Sequence, residues 1–100
     1  MGTKYQMLEY LIEHHNTESR AVKNRELRLL FNLTDRQVRI LVNQLRQEGK
    51  PVCSSSVGYW YGTSPEDINK TIYKMEAQVE KMRKSIKGLR EALGEIYDGE

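Results

Sequence analysis

Nine apolar residues near the C-terminal end recur in alternating steps of four and three: Ile68, Ile72, Met75, Val79, Met82, Ile86, Leu89, Leu93 and Ile96. A stripe with a mean period of 3.5 residues keeps to one side of an α-helix only when that helix supercoils around a partner. The chain is therefore committed to one uninterrupted helix of roughly 30 residues, about 45 Å long, which a domain of this size cannot cover. Ser64-Pro65-Glu66-Asp67 starts it well: an N-cap serine, proline at the first helical position, and acids where the helix dipole favours them. The spacing predicts self-association through Ile72, Met75, Val79, Met82, Ile86, Leu89 and Leu93, as a homodimer or a higher oligomer. β-Branched residues at a (Ile72, Val79, Ile86) with Met75, Met82 and Leu89 at d lean toward two parallel strands. The flanking Glu76, Gln78, Arg83, Ser85, Arg90 and Ala92 specify orientation weakly and leave an antiparallel pair or a four-helix arrangement open.

What precedes that helix has a different period. Leu8, Leu11 and Ile12, with Tyr5 a turn earlier, make one apolar stripe, so the spacing predicts a helix over 4–14, opened by a capping box of Thr3 and Gln6. "HHNTESRA" is polar and reads as a loop; Val22 supplies a short strand, and Asn24 has the chemistry of an N-cap. A second, short helix over 25–31 turns Leu27, Leu30 and Phe31 inward and keeps Arg25 and Arg28 wet. Asn32 tolerates the left-handed conformation of a sharp turn, and Leu33 plugs the core beneath it. Thr34 and Gln37 form another capping box. They launch a third helix whose Val38, Leu41, Val42 and Leu45 follow the i, i+3, i+4, i+7 rule, and Gly49 stops it. "PVCSSSVGYWY" then predicts a two-stranded hairpin, stable only if one face of its aromatics packs on the helices. The expected architecture is mainly α with a small β-hairpin. Residues 1–63 form one domain, and 64–97 form the association helix.

The formal charge is only +2, but its distribution is uneven. Residues 1–19 carry −2 and residues 51–100 carry −1, whereas residues 20–50 set eight Lys and Arg against three acids, for +5. A basic block of this kind points to an anionic partner. With the inward set of the third helix assigned, Asp35, Arg36, Gln37, Arg39, Ile40, Asn43 and Arg46 face out. A helix of about 12 Å diameter fits the major groove of DNA, where Arg reaches guanine bidentately and Gln or Asn reaches adenine. Arg36, Gln37, Arg39 and Asn43 are the expected base readers. Arg25, Arg28, Thr34, Arg46, Lys50, Ser54 and Ser55 are the expected phosphate contacts, adding affinity without sequence information.

"RELRLLFNLTDRQVRILVNQLRQEGKPVCSSSVGYWY" resembles the winged helix-turn-helix at the N-terminus of biotin-operon-repressor-type and DeoR-type regulators. It is also similar to small helix-turn-helix proteins of Gram-positive bacteria and their phages. Leu45, Arg46, Gly49, Val52, Gly58 and Tyr59 match the family pattern, and the resemblance covers about residues 5 to 63. It implies a sequence-specific double-stranded DNA-binding protein: a small transcriptional regulator or a phage or prophage accessory factor. Two departures stand out. The turn position often filled by Gly is Asn32, and the wing tip "SSSVG" has no Arg or Lys, so the third helix is expected to dominate. A competing expectation is a protein-docking module built on the same fold.

Enzymatic chemistry finds little to work with. His14 and His15 are adjacent, about 100° apart on a helix, and cannot clamp one metal from one face. Cys53 has neither a metal-ligand spacing nor a neighbouring base, and reads as a partly buried hairpin residue. No phosphate-binding loop and no acidic magnesium cluster appears. The expectation is no enzyme, no metal, no cofactor and no small-molecule effector. A lone cysteine, no signal-like N-terminus and no apolar run of membrane-spanning length predict a cytoplasmic protein with no membrane partner.

Overall fold

A computed structural model describes residues 2–99. Four α-helices and one hairpin account for most of the chain: α1 (Thr3–His14), α2 (Asn24–Phe31), α3 (Asp35–Gln47), β1 (Val52–Ser55), β2 (Gly58–Tyr61) and α4 (Pro65–Asp98), with a 3-10 turn at Glu18–Arg20 between α1 and α2. The fold is mainly α with a small antiparallel hairpin and a long C-terminal helix, as the periodicities predict.

The core lies between α1, α2, α3 and one face of the hairpin. Met7, Leu8 and Leu11 from α1, Leu27 from α2, and Val38, Val42 and Leu45 from α3 are buried there with Val22 and Val52. Tyr10, Phe31, Leu33, Leu41, Tyr59 and Tyr61 pack around them. Strand alternation sends Tyr59 and Tyr61 to this core and Trp60 to the opposite face. On that opposite face Trp60 is paired across the hairpin with Cys53, both buried, and the Trp60 indole N–H donates to Asp67 Oδ2 at 3.2 Å. The hairpin is thus packed on both faces, by the helical core and by the first turns of α4. The sequence pattern predicts packing on one face only.

Local chemistry explains most boundaries. Asn32 takes φ +53°, the left-handed turn between α2 and α3. The Thr34 hydroxyl accepts from the Gln37 N–H while Gln37 Oε1 accepts from the Thr34 N–H, a complete capping box. Ser64 caps α4 by accepting from the Asp67 N–H. Gly58 has φ +138°, and a Cβ there would stand 2.4 Å from the Val22 carbonyl oxygen. That close approach lets Val22 and Tyr59 exchange two backbone hydrogen bonds of 2.8 Å, so Val22 forms the expected short strand as an isolated bridge.

Three local expectations are corrected. Thr3 does not cap α1: Gly2 has the extended cap conformation, and no side-chain cap bond forms. Thr3 is already helical, which leaves its hydroxyl past the N–H groups it was to serve. The cap of α2 is Lys23, and Asn24 is its first helical residue. Leu30 does not face the core: it is 53% exposed, because two helical turns have room inward for Leu27 and Phe31 and leave Leu30 on the flank.

The long dimension of the molecule is α4. Thirty-four residues at 1.5 Å each make about 51 Å, within overall extents of 61 × 31 × 23 Å. Its first turns rest on β1, where the buried Thr71 hydroxyl accepts from the Ser54 N–H at 3.4 Å. Beyond that contact, every residue from Ile72 to Leu93 is exposed. Among the described residues nothing covers the apolar seam, and no helix is long and apolar enough to cross a membrane.

Candidate nucleic-acid interface

The outer side of α3 is open. Val38, Val42 and Leu45 are fully buried, so the 100° step per residue places Arg36, Arg39, Ile40, Asn43 and Gln47 on the far side of the helix, all exposed. Among the described residues no other element lies over them. Of the four expected base readers, Arg36 and Asn43 make no side-chain hydrogen bond or ion pair among the described residues, so their polar ends are unengaged. Arg39 is paired along the helix with Asp35 at 2.8 Å, with both side chains more than half exposed. An exposed i,i+4 pair contributes only about 0.3–0.5 kcal/mol, so it orders Arg39 without sequestering it. Gln37 is different. Its amide oxygen is held in the capping box, which leaves only its amide NH2 to donate outward.

The expected phosphate contacts divide into two groups. Arg25 and Lys50 are exposed, on α2 and beyond the end of α3. Thr34 is also exposed, but its oxygen is the cap of α3. Arg28 is half-buried, its Nε a buried donor without a partner among the described residues, and it lines a recess of about 300 Å3 with Arg25, Leu29, Asn32 and Leu33. Arg46 and Ser54 are engaged with each other within the protein. Arg46 is half-buried; its Nε donates to the Val52 carbonyl at 2.7 Å and its Nη2 to Ser54 Oγ at 2.9 Å. Burial lowers its affinity for the proton, partly offset by Tyr59 and Cys53. Arg46 is a strut from α3 to the hairpin. The chain turns back after Gly49, which brings residues six and eight positions later alongside the guanidinium.

The hairpin contributes a surface that the sequence pattern did not assemble. Ser54, Ser55 and Ser56 line a cleft of about 440 Å3 together with Lys23, Arg25 and Lys74. Two of its three cations, Lys23 and Lys74, were absent from the expected site. Lys74 belongs to the long helix, and only the docking of α4 on β1 brings it to the serine-rich tip. No local pattern announces such a meeting.

Elsewhere the cation count falls. Lys4 is ion-paired with Glu48 at 2.6 Å, and Tyr5 donates its hydroxyl proton to the other Glu48 oxygen at 2.6 Å, tying the start of α1 to the end of α3. These bonds hold the Glu48 carboxyl below its usual range and the Lys4 ammonium above its own. Cys53 lies buried with its thiol pushed up, mainly by burial. Among the described residues no group of three His, Cys, Asp or Glu side chains converges on a metal-sized site. No family model, no curated protein and no solved structure matches this chain.

Proposed function

We propose that the protein binds double-stranded DNA sequence-specifically as a homodimer, with α3 in the major groove. The observation that carries this reading is the uncovered outer side of α3, where Arg36 and Asn43 present unengaged polar ends. Arg25, Arg28 and Lys50 flank it as phosphate contacts, joined by Lys23 and Lys74 at the hairpin tip. Arg46 and Ser54 act indirectly, by fixing the hairpin to α3. The exposed seam of α4 supplies the second protomer, and paired α3 helices then read two half-sites related by a two-fold axis. The winged helix-turn-helix resemblance fits this layout and leaves two roles open: a small transcriptional regulator or a phage-type DNA-binding accessory factor.

The test is selection of bound duplexes from a random-sequence pool, followed by titration of the winning duplex. One preferred sequence should emerge. Arg36→Ala with Asn43→Ala should weaken binding to it by about one to three kcal/mol per lost bidentate contact, while binding to unrelated duplex stays the same. A pool with no common sequence, or a double variant that binds the selected duplex like the parent, overturns the reading.

One observation favours a second reading, protein docking. Leu29 is 74% exposed and its neighbour Leu30 53%, and Leu29 lines a recess with Arg25 and Arg28, so apolar side chains share this surface with the cations. If Leu29→Ser abolishes a cellular interaction while duplex selection fails, docking is the better account.

A further inference from the structure

Resting on the dimer reading above, we propose that a second copy of this chain packs along α4 in one antiparallel register, with Ile72 against the partner's Leu89 and Val79 against the partner's Met82. The charge order of the helix carries the orientation. Residues 81–90 hold Lys81, Arg83, Lys84, Lys87 and Arg90 and no acid, and residues 91–98 hold Glu91, Glu95 and Asp98 and no base. At the edge of the seam, two parallel strands would give Arg83 and Arg90 only the partner's Gln78 and Ser85, and would set the two cationic blocks level with each other. An antiparallel pair sets that block beside residues 71–80, with Lys74, Glu76 and Glu80. This outweighs the mild parallel preference of the β-branched residues at a.

The register follows from the edge positions. In antiparallel pairs, a residues meet d residues and e residues meet e residues, whereas parallel strands pair g with e. Opposing Ile72 to the partner's Leu89 forms eight apolar layers from Ile68 to Leu93 and faces Glu76 with the partner's Arg83, twice by symmetry. Shifting by one heptad keeps eight layers but sets Arg83 against the partner's Arg83. The parallel alternative gives Arg83 only the partner's Gln78. All the seam residues from Ile72 to Leu93 are exposed and available for this pairing.

The root of α4 fits the same register. An apolar cleft of about 420 Å3 lies between α4 and the body of the protein, lined by Lys50, Pro51, Val52, Ile68, Ile72 and Met75 among others. The proposed pairing brings the partner's Leu89 and Leu93 opposite Ile72 and Ile68, at the mouth of that cleft. A parallel pair would bring the partner's whole globular body to the same place. The antiparallel rod also sets the two Ile68 positions 25 residues apart, about 38 Å at 1.5 Å per residue.

The experiment mixes two full-length variants, Ile72→Cys and Leu89→Cys, under mild oxidation; the native Cys53 is 1% exposed and stays out of the exchange. A disulfide linking the two different variants, with little of either linked to itself, is expected. Self-linked species of each variant overturn the antiparallel register and leave the dimer reading intact. A monomeric sedimentation mass for the unmodified protein removes the dimer reading and this register together. A second measurement guards against a cysteine disturbing the seam. Arg83→Glu should weaken dimerisation by about tenfold, two exposed pairs being lost, and adding Glu76→Arg should restore it. A silent Arg83→Glu overturns the register.

Discussion

Arg46 separates a structural arginine from a DNA-contacting one, and replacing it tests the assignment. Arg46→Ala removes the 2.7 Å bond to the Val52 carbonyl and the 2.9 Å bond to Ser54 Oγ, both charge-assisted. Hydrogen bonds to a charged group contribute about 1.5–3 kcal/mol each, and sharing one half-exposed guanidinium holds the pair to about 2–3 kcal/mol in total. For a domain of this size 1 kcal/mol is about 4–8 °C, so the melting temperature should fall by about 10–20 °C. Arg46→Lys keeps the charge but not the fork, and should lose more than half as much. The assay is thermal denaturation followed by circular dichroism at one fixed protein concentration, because association adds stability by mass action. Duplex affinity, measured where parent and variants are all folded, should change little. An unchanged melting temperature combined with weaker, less salt-sensitive DNA binding would refute the strut and return Arg46 to the phosphate contacts.

Other consequences follow from the same contacts. Glu48 is held below its ordinary carboxylate range, first by Lys4 and then by Tyr5, so its contribution is complete at neutral pH and fades as pH falls through the carboxylate range. Lys4 is held above its ordinary value, so its share persists until strongly alkaline pH. Glu48→Gln should therefore lower the melting temperature near pH 7 and converge with the parent in acid, a difference that high salt also shrinks; a constant gap from pH 3 to pH 7 contradicts the ion pair. Thr34→Ala breaks the capping box of α3 and should cost about 1 kcal/mol by denaturant unfolding, with Thr3→Ala near zero because Thr3 caps nothing. Met82→Lys places a charge at the centre of the exposed seam and should yield a monomer with weaker duplex binding; an unchanged sedimentation mass defeats the role of the seam.

How much was legible in the chain depended on the range of the interaction. Features set by neighbours were: the Thr34–Gln37 box, the left-handed Asn32, Ser64-Pro65 and the inward stripe of α3 each depend on residues within a turn or two, whereas Tyr5 and Ile12 of the expected α1 stripe are exposed. The errors have the same physical logic. Thr3–Gln6 has the composition of a capping box, yet composition cannot say which residue leaves the helical conformation first, and Gly2 does. Leu30 was apolar and one residue from Phe31, but a helix of two turns has a narrow buried face. Arg46, Lys74 and Ser54 were the hardest. Their neighbours are set by the return of the hairpin after Gly49 and by α4 docking on β1, contacts that no short-range pattern encodes. Arg46 reads in the sequence as one more cation of a basic block and in the fold bonds Val52 and Ser54, while Lys74 lies outside the block in sequence and meets Lys23 and Arg25 in space.

The claim on which the rest depends is that the outer side of α3 meets a duplex. The direct measurement is duplex affinity as a function of salt concentration, for the parent and for Arg36→Ala, Arg25→Ala and Lys50→Ala. The account predicts a linear fall of log affinity with log salt, with a slope reduced by about 0.9 for each phosphate contact removed at Arg25 or Lys50. Arg36→Ala should cost affinity for the preferred sequence and leave the slope nearly unchanged. Binding that ignores salt, or three variants indistinguishable from the parent on any duplex, would contradict it.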